Sequence, residues 1–353
     1  MTADYADPAA TVSESADPLD LVRRRYVVRM SRTIDLNMLK LRMSSNLREF
    51  EGFAYFSTLL DPDVPADYTL TCVDLDKDPI DEVLLREAAD RTYRAERFQA
   101  GYYLAHHFGA PAFLVTRGTD LFVFGRQLEK TVWPYFVKHL LTIFAVDRGL
   151  LHLKAAAFVQ PGVGATLLVG RGSGGKTVFL TRACTSGAAF LSNTHVLVDG
   201  RTVHGVPSAM RVRNDECFRP LIESGGLSRH LESHEYRADP RAIFPSWQLS
   251  APIRNLCVVD YQPNWPPVVE ELGAEECYEF LDQFSAAVGT YGLKDDVLAH
   301  LDGDFHRYVR AAKAFRQAMT EVVLSARRFR INADMFDKST SREVLRTLAG
   351  DTR

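Results

Sequence analysis

Several features of membrane, secreted and nucleic-acid-binding proteins are absent from this sequence. Its 353 residues contain no run of about 18 apolar residues, the length that a membrane-spanning helix requires. The N-terminal stretch MTADYADPAATVSESADPLD is acidic, small and polar, whereas a secretory signal is basic and then apolar. We therefore predict a cytoplasmic protein without a membrane partner, with a disordered lead-in over residues 1–20.

Cysteine is scarce, and its spacing argues against the common cysteine-based sites. The five cysteines are scattered and form neither a C-x-x-C pair nor a zinc-like pattern with histidine. We expect free thiols in a reducing compartment. The formal net charge is -3 and no long basic run occurs, which argues against nucleic acid as a partner. The length suits one large or two ordinary globular domains.

The first part of the chain predicts a smaller α/β domain over residues 21–130. Four short stretches are β-branched or alternate in polarity: RYVVRM, YTLTCVDL, PAFLVT and DLFVFG. The last two flank the turn-rich TRGTD and predict a hairpin, whereas DEVLLREAADRTYRAERF predicts a partly helical segment. Nothing in this region indicates its chemistry.

The second part predicts a helix over residues 132–149 that ends at Gly149, and then two strands separated by QPGVG. AAFLS, HVLVDG and RTVHGV predict a meander of short strands with a turn at Asp199-Gly200. Residues 213–247 are polar and contain several prolines, so we expect a long connection or an insert. IRNLCVVDYQ predicts a buried strand, and helices are expected in AEECYEFLDQFSAAV, over residues 294–320 and in TSREVLRTL. EVVLSARRFRIN predicts a strand before the last helix.

The most specific motif is GRGSGGKT at residues 170–177, which fits G-x-x-x-x-G-K-[ST] without a mismatch. A strand-like ATLLV precedes it and a helix-compatible TVFLTRA follows. The glycines allow successive backbone N–H groups to point at phosphate oxygens, and the helix N-terminus adds a partial positive charge. The predicted nucleotide-binding residues are Gly170, Arg171, Gly172, Ser173, Gly174, Gly175, Lys176 and Thr177.

The motif predicts ATP or GTP together with Mg²⁺ as cofactors. Lys176 would contact the outer phosphates and the Thr177 hydroxyl would bind Mg²⁺. A conventional P-loop hydrolase adds a carboxylate after an apolar run, and Asp199 and Asp260 both occupy such positions. The following Gly200 favours a hairpin corner at Asp199, whereas Asp260 is either a second nucleotide motif or a plain strand end.

From residue 152 onward, the order of motifs resembles the HPr kinase/phosphorylase-like family of P-loop kinases, which shares its core with phosphoenolpyruvate carboxykinases. The similar segments are LLH, GRGSGGKT, FLSNTHVLV, HGVPSAMRVR and IRNLCVVDYQPNWPPVVEELGAEECYEFL. The resemblance covers residues 134–348 and implies an α/β P-loop kinase-like domain with a mixed sheet over residues 131–350. It also implies that a homo-oligomer can form, since family members often assemble into rings or dimers.

The resemblance places His152 at the family's catalytic histidine and Asn193-Thr194 where the family has two aspartates. Those carboxylates serve the family as general base and metal ligands. An amide oxygen can still bind a hard cation, so Asn193 is a candidate metal ligand beside Thr177. If SNTH continues a strand, His195 lies on the same face as Asn193 and could replace the missing base.

The catalytic candidates are therefore His152, Lys176, Asn193 and His195. We expect an ATP-dependent kinase that phosphorylates a hydroxyl group of a small molecule or short peptide. Two alternatives remain open: a catalytically inactive nucleotide-binding module, and a conventional P-loop NTPase that uses Asp260. Arg211 and Arg213 would share one face of an extended segment, where they could hold an anionic acceptor or the phosphates, or form a solvated face.

Overall fold

A computed structural model describes residues 17–51, 53, 59–61, 63–88, 112–130, 132–229, 235–263 and 266–350 of the chain. The chain separates into two compact units. Unit 1 comprises Met1–Ser31, Ser44–Glu49 and Thr69–Leu128, and unit 2 comprises Arg32–Met43, Phe50–Tyr68 and Glu129–Arg353. The break after Leu128 lies near the predicted boundary at residue 130, but two earlier segments belong to unit 2.

The described elements are mixed α/β. The helices are α1 Pro18–Arg23, α2 Glu82–Ala88, α3 Lys138–Arg148, α4 Lys176–Thr185, α5 Arg219–Glu223, α6 Pro240–Ile243, α7 Ala274–Phe284, α8 Ala287–Thr290, α9 Lys294–His300, α10 Phe305–Ser325 and α11 Lys338–Ala349. A turn of π-helix, Val132–Val137, precedes α3.

The first nine strands are β1 Met30–Asp35, β2 Lys40–Ser45, β3 Leu59–Leu60, β4 Tyr68–Asp74, β5 Ala112–Arg117, β6 Asp120–Gly125, β7 Leu151–Lys154, β8 Ala156–Gln160 and β9 Gly164–Val169. The others are β10 Ala189–Ser192, β11 His195–Asp199, β12 Thr202–Gly205, β13 Met210–Arg213, β14 Ser228–Arg229, β15 Glu235–Ala238, β16 Ser250–Tyr261, β17 Val268–Glu271 and β18 Arg327–Ala333.

Unit 1 contains the predicted hairpin, β5 and β6, which pair antiparallel, while β4 runs parallel to β6. Apolar side chains of α1 and α2, such as Leu19 and Leu85, pack with Phe113 and Phe124 in one core. Because α1 begins at Pro18, the helix starts inside the stretch predicted as a lead-in, and residues 1–16 lie outside the described residues. The predicted helical segment is helical as far as Ala88, and residues 89–99 are also outside them.

Unit 2 is built on a mixed sheet with the strand order β10-β8-β9-β16-β12-β11-β7, to which β18 and β17 add beside β16. β9 and β18 run parallel to β16, and the other pairs are antiparallel. This confirms the predicted α/β class and mixed sheet. The parallel pair places the carboxyl ends of β9 and β16 at one edge, and the glycine-rich loop follows β9 there.

Alternating side chains divide the core of unit 2 between the two faces of the sheet. Leu168 contributes to the core that contains Phe179 of α4 and Val344 of α11. Leu167 contributes to the opposite core with Leu281 of α7 and Met319 of α10. The sheet is therefore covered by helices on both faces, and α4 packs against it directly after the loop.

The structure decides or corrects three sequence predictions of secondary structure. Of the two alternatives for residues 213–247, an insert is the one observed: the segment contains α5, α6, β14 and β15, and β15 pairs with both β14 and the preceding β13. Residues 321–325 continue α10 because Met319, Val322 and Val323 are buried at helical spacing, so β18 begins only at Arg327. RYVVRM is not a strand: β1 begins at Met30, and Val27 and Val28 are exposed.

Other expectations are confirmed. All five cysteines are free. Gly149 ends α3 in the left-handed conformation with φ 68°. Gly200 forms the corner between β11 and β12 with φ 55°, as the Asp199-Gly200 pattern predicts. Within the part of the chain that the structure describes, every helix is too short or too polar to span a bilayer.

Candidate phosphate-binding site

The loop between β9 and α4 requires glycine at several positions. Gly170 has φ 152°, and a Cβ atom built there would lie 2.4 Å from the carbonyl oxygen of Val259. A Cβ on Gly174 would lie 3.0 Å from the same oxygen, and one on Gly175 would lie 2.9 Å from Cγ of Met335. The loop therefore lies directly against the end of β16 on one side, which leaves its other side open to a ligand.

Lys176 is the first residue of α4, and its side chain folds back over the loop. Its Nζ atom donates hydrogen bonds to the carbonyl oxygens of Gly170 at 2.8 Å and Arg171 at 2.6 Å. Burial, reinforced by the positive charge of Lys154, lowers the pKa of Lys176 to about 8. An anion in the loop would offset both effects, because it would return a charged partner to the ammonium group.

The loop opens into a cavity of about 630 Å³. Four cationic side chains line this cavity, Lys154, Lys176, Arg211 and Arg213, against two carboxylates, Asp215 and Glu235. The excess of positive charge suits a polyanion such as a nucleotide phosphate chain.

Asn193 lies beside the loop, as the sequence predicts. Its Oδ1 atom accepts a hydrogen bond from Oγ1 of Thr177 at 3.4 Å, and its Nδ2 donates to Oγ1 of Thr194 at 3.1 Å. Both Asn193 and Thr194 line the cavity. The structure therefore brings together the two predicted metal ligands, Thr177 and Asn193.

His195 does not lie with Thr177 and Asn193 at the cavity. The condition that SNTH continues one strand is not met, because β10 ends at Ser192, the chain bends at residues 193–194 and β11 starts at His195. The Ser192 hydroxyl stabilises this bend by donating to the carbonyl oxygen of His195 at 2.6 Å. Asn193 and His195 consequently belong to different surroundings, one in the cavity and the other in the core.

The two histidines form a buried pair outside the cavity lining. Nε2 of His152 lies 3.1 Å from Nδ1 of His195, and Nδ1 of His152 lies 2.9 Å from the Thr142 hydroxyl. Both rings are fully buried. Burial lowers the pKa of His152 to about 3 and that of His195 well below its ordinary value, so both imidazoles are neutral at pH 7.

Two lysines belong to this region although the sequence analysis did not identify them. Lys154 ends β7, pairs in register with His195 and lines the cavity. Lys138 begins α3, and its Nζ lies 4.3 Å from the centre of the Tyr291 ring. Burial and repulsion by Arg211 and Lys154 lower the pKa of Lys138 to about 7. The available signal was LHLK, in which His152 and Lys154 share one face of a strand.

The two arginines of β13, Arg211 and Arg213, share one partner, and Arg213 also contacts the loop. Nη1 of Arg213 donates to the Ser173 hydroxyl in the loop at 3.1 Å. Arg211 and Arg213 each approach a different oxygen of Glu235 at 3.6 Å. The single negative charge of Glu235 is thus shared between two guanidinium groups. Arg211 is therefore only partly neutralised and can still bind an anion.

The two aspartates considered for a conventional second motif lie elsewhere. Asp260 is the next-to-last residue of β16, the strand beside the loop. Its Oδ1 accepts from Nη2 of Arg171 at 3.1 Å, and its Oδ2 accepts from Nε2 of Gln262 at 2.9 Å. Asp199 is exposed at the hairpin corner, as the turn interpretation of its sequence predicts. Neither aspartate lines the cavity.

The residues fit a phosphate chain better than they fit a tightly held metal ion. The loop offers backbone donors, a helix N-terminus and Lys176, whereas Thr177 and Asn193 provide only neutral oxygens. No group of three His, Cys, Asp or Glu side chains able to hold a metal occurs among the described residues. Any Mg²⁺ at this site would therefore be held mainly by the oxygens of a bound phosphate group. Comparison with protein-family models finds no match to this chain, and comparison with curated proteins finds none either.

Proposed function

We propose that this protein is an ATP- or GTP-dependent phosphotransferase of the HPr kinase/phosphorylase-like type, which phosphorylates a hydroxyl group of a small molecule or short peptide. One observation carries the proposal. A strand–loop–helix phosphate cradle opens into a basic cavity that also contains Asn193 beside Thr177. A cavity of about 630 Å³ has room for the end of a phosphate chain and part of an acceptor.

In this proposal Lys176 exchanges its two loop carbonyl partners for oxygens of the outer phosphates. Thr177 and Asn193 would contribute neutral oxygen ligands to a magnesium ion bound to the phosphates, and that ion would supply positive charge there. The acceptor oxygen attacks the γ-phosphorus while the bond to the bridging oxygen of the diphosphate breaks. The nucleoside diphosphate leaves with the electron pair of that bond, and the hydroxyl proton passes to water in the open cavity.

Water as the proton acceptor is consistent with the surroundings of the cavity. Asn193 cannot act as a base, and His152 and His195 are buried behind the lining. Phosphoryl transfer proceeds through a loose transition state, in which positioning and charge neutralisation contribute more than early proton removal. The loss of a general base typically costs about 10²–10⁴-fold in rate, so we expect a slow enzyme.

The histidine pair has a positioning role in this proposal. His152 and His195 lie on the adjacent strands β7 and β11, which carry Lys154 and the end of the Asn193-Thr194 bend into the cavity. The contact between the rings adds a side-chain link to these two strands, which pair through their backbones. Their contribution is therefore to hold cavity side chains rather than to contact the phosphate.

The proposed activity is tested by incubating the full chain with Mg²⁺, γ-labelled ATP or GTP, and a panel of small alcohols and of serine, threonine and tyrosine peptides. We expect label in at least one acceptor, and loss of that label in Lys176→Ala. Lys313→Ala removes an exposed lysine of α10 and is the matched control, which should keep full activity. Transfer by the wild type no greater than that by Lys176→Ala contradicts the proposal.

A second candidate is a nucleotide-binding module without catalysis, favoured by the neutral Asn193-Thr194 pair. It predicts that the wild type binds AMP-PNP without turnover, and that Asn193→Asp gains transfer activity.

A third candidate, an NTPase that uses Asp260, is less favoured because Arg171 and Gln262 already bind both carboxylate oxygens. It requires Asp260→Asn to abolish hydrolysis, whereas we expect less than about a threefold change for this partly exposed pair.

A further inference from the structure

We propose that the phosphoryl acceptor carries an anionic group of its own, a carboxylate or a phosphate, which Lys154 and Arg211 bind where β7 and β13 border the cavity. We call Lys154 and Arg211 the acceptor subsite. The inference rests on the proposed function, and it narrows the acceptor from any alcohol to an anionic hydroxyl compound.

The first observation is the isolation of the Lys154 ammonium group. Lys154 lines the cavity, and among the described residues its Nζ has neither an ion-pair nor a hydrogen-bond partner. Its backbone is held firmly, because Lys154 N donates to the carbonyl of Ser285 and its carbonyl accepts from the Ser285 hydroxyl at 3.0 Å. A half-buried cation without a counter-ion, on a fixed strand end, is suited to bind an anion from solution.

The second observation is the excess of cations around Lys154. Burial together with repulsion by Arg211 lowers the pKa of Lys154, and Lys138 is repelled by both. Glu235 is shared with Arg213 and therefore compensates only part of this charge. A bound anion would relieve the repulsion among all three side chains.

The third observation is that Arg211 and Arg213 occupy different positions along β13. Arg213 contacts the loop through Ser173, so it is placed beside the nucleotide phosphates. Arg211 lies two residues earlier on the same face of the strand, which corresponds to about 7 Å. That spacing suits an acceptor whose anionic group lies a few bonds from the hydroxyl oxygen that attacks the γ-phosphorus.

The binding test loads the full chain with AMP-PNP and Mg²⁺, so that the γ-phosphate position is filled, and then titrates inorganic phosphate by calorimetry. We expect the wild type to bind phosphate. Lys154→Gln and Arg211→Gln should each weaken it by about tenfold or more while changing the AMP-PNP affinity less than about threefold. Lys313→Gln and Arg342→Gln remove exposed charges on α10 and α11 and should leave both affinities unchanged.

The same titration on nucleotide-free Lys176→Ala separates this inference from the proposed function. Phosphate should still bind to Lys176→Ala, and the affinity should fall in the double variant that also carries Lys154→Gln. Phosphate binding without any AMP-PNP binding would refute the proposed function but support an anion site at Lys154. A substitution that weakens AMP-PNP as much as phosphate, or a wild type that binds no phosphate in either form, overturns the inference.

The kinetic test compares matched acceptors: glycerol, glycerate and glycerol 3-phosphate. We expect kcat/KM at least about tenfold higher for an anionic acceptor than for glycerol, with the carboxylate and phosphate compounds distinguishing the two kinds of anion. Lys154→Gln should raise KM for the anionic acceptor and leave KM for ATP unchanged. Equal use of the neutral and anionic acceptors by the wild type overturns the inference.

Discussion

Gly170→Ala tests whether the loop lies against β16 as described. The new Cβ atom would be 2.4 Å from the Val259 carbonyl oxygen and 3.4 Å from its carbonyl carbon, both backbone atoms of a central strand. Overpacking of a fixed core costs about 1–3 kcal/mol. The positive φ of 152° adds about 1–3 kcal/mol for a residue with a side chain.

We therefore expect Gly170→Ala to reduce the free energy of unfolding by about 2–6 kcal/mol, or to displace the loop and lose nucleotide affinity instead. Gly172→Ala is the matched control for stability in the same loop, because a Cβ there has no neighbour within 4 Å. Urea unfolding followed by fluorescence, together with AMP-PNP titration, measures both effects. If Gly170→Ala unfolds at the same urea concentration as the wild type and binds AMP-PNP equally well, the described packing of the loop is incorrect.

Three further predictions follow from the same structure. ADP affinity should fall about tenfold from pH 7 to pH 9, because Lys176, with a pKa of about 8, loses its proton over this range. Lys154→Met removes a repelling charge, which raises the pKa of Lys176, so the fall in affinity should occur at higher pH. The pKa of Lys138 is about 7 in the folded state and near 10.5 when unfolded, so the unfolded chain binds more protons above pH 7. Stability should therefore rise with pH in that window, and urea unfolding should show a smaller rise in Lys138→Met. Gly205→Ala places a Cβ 2.1 Å from the Leu191 carbonyl oxygen, and calorimetric melting should show a loss of about 2 kcal/mol or more, whereas an unchanged melting temperature would contradict this packing.

The elements that the sequence predicts well are those with a strong local pattern. The loop follows from the spacing of its glycines, Lys176 and Thr177, and the corner at Gly200 follows from the Asp-Gly pair. The three-stranded sheet β13-β15-β14 was missed because its strands are two to four residues long and mostly polar, too short for any periodicity to register. Their pairing depends on contacts between residues that are distant in sequence, which no local pattern encodes.

At the candidate site, too, local sequence patterns do not predict contacts that depend on the tertiary fold. Asn193 lies beside Thr177 as expected, because motif order alone brings the end of β10 to the loop. His195 was misplaced because the bend at residues 193–194 depends on a hydrogen bond from Ser192 to the His195 carbonyl, which strand alternation cannot anticipate. Lys154 was missed because a single lysine at a strand end is ordinarily solvated, and only the fold shows that it enters the cavity.

These observations also suggest why a neutral pair at Asn193-Thr194 is compatible with phosphate chemistry. Two aspartates there would add negative charge beside the nucleotide phosphates, which a metal ion must then compensate. Here the pair is neutral, and Lys176 and Arg213 place positive charge at the loop itself. In the proposed function, side chains would therefore neutralise the phosphates to a greater extent than a metal ion does. Consequently, EDTA should weaken AMP-PNP binding less in the wild type than in Asn193→Asp, and an equal effect of EDTA on both proteins would argue against this compensation.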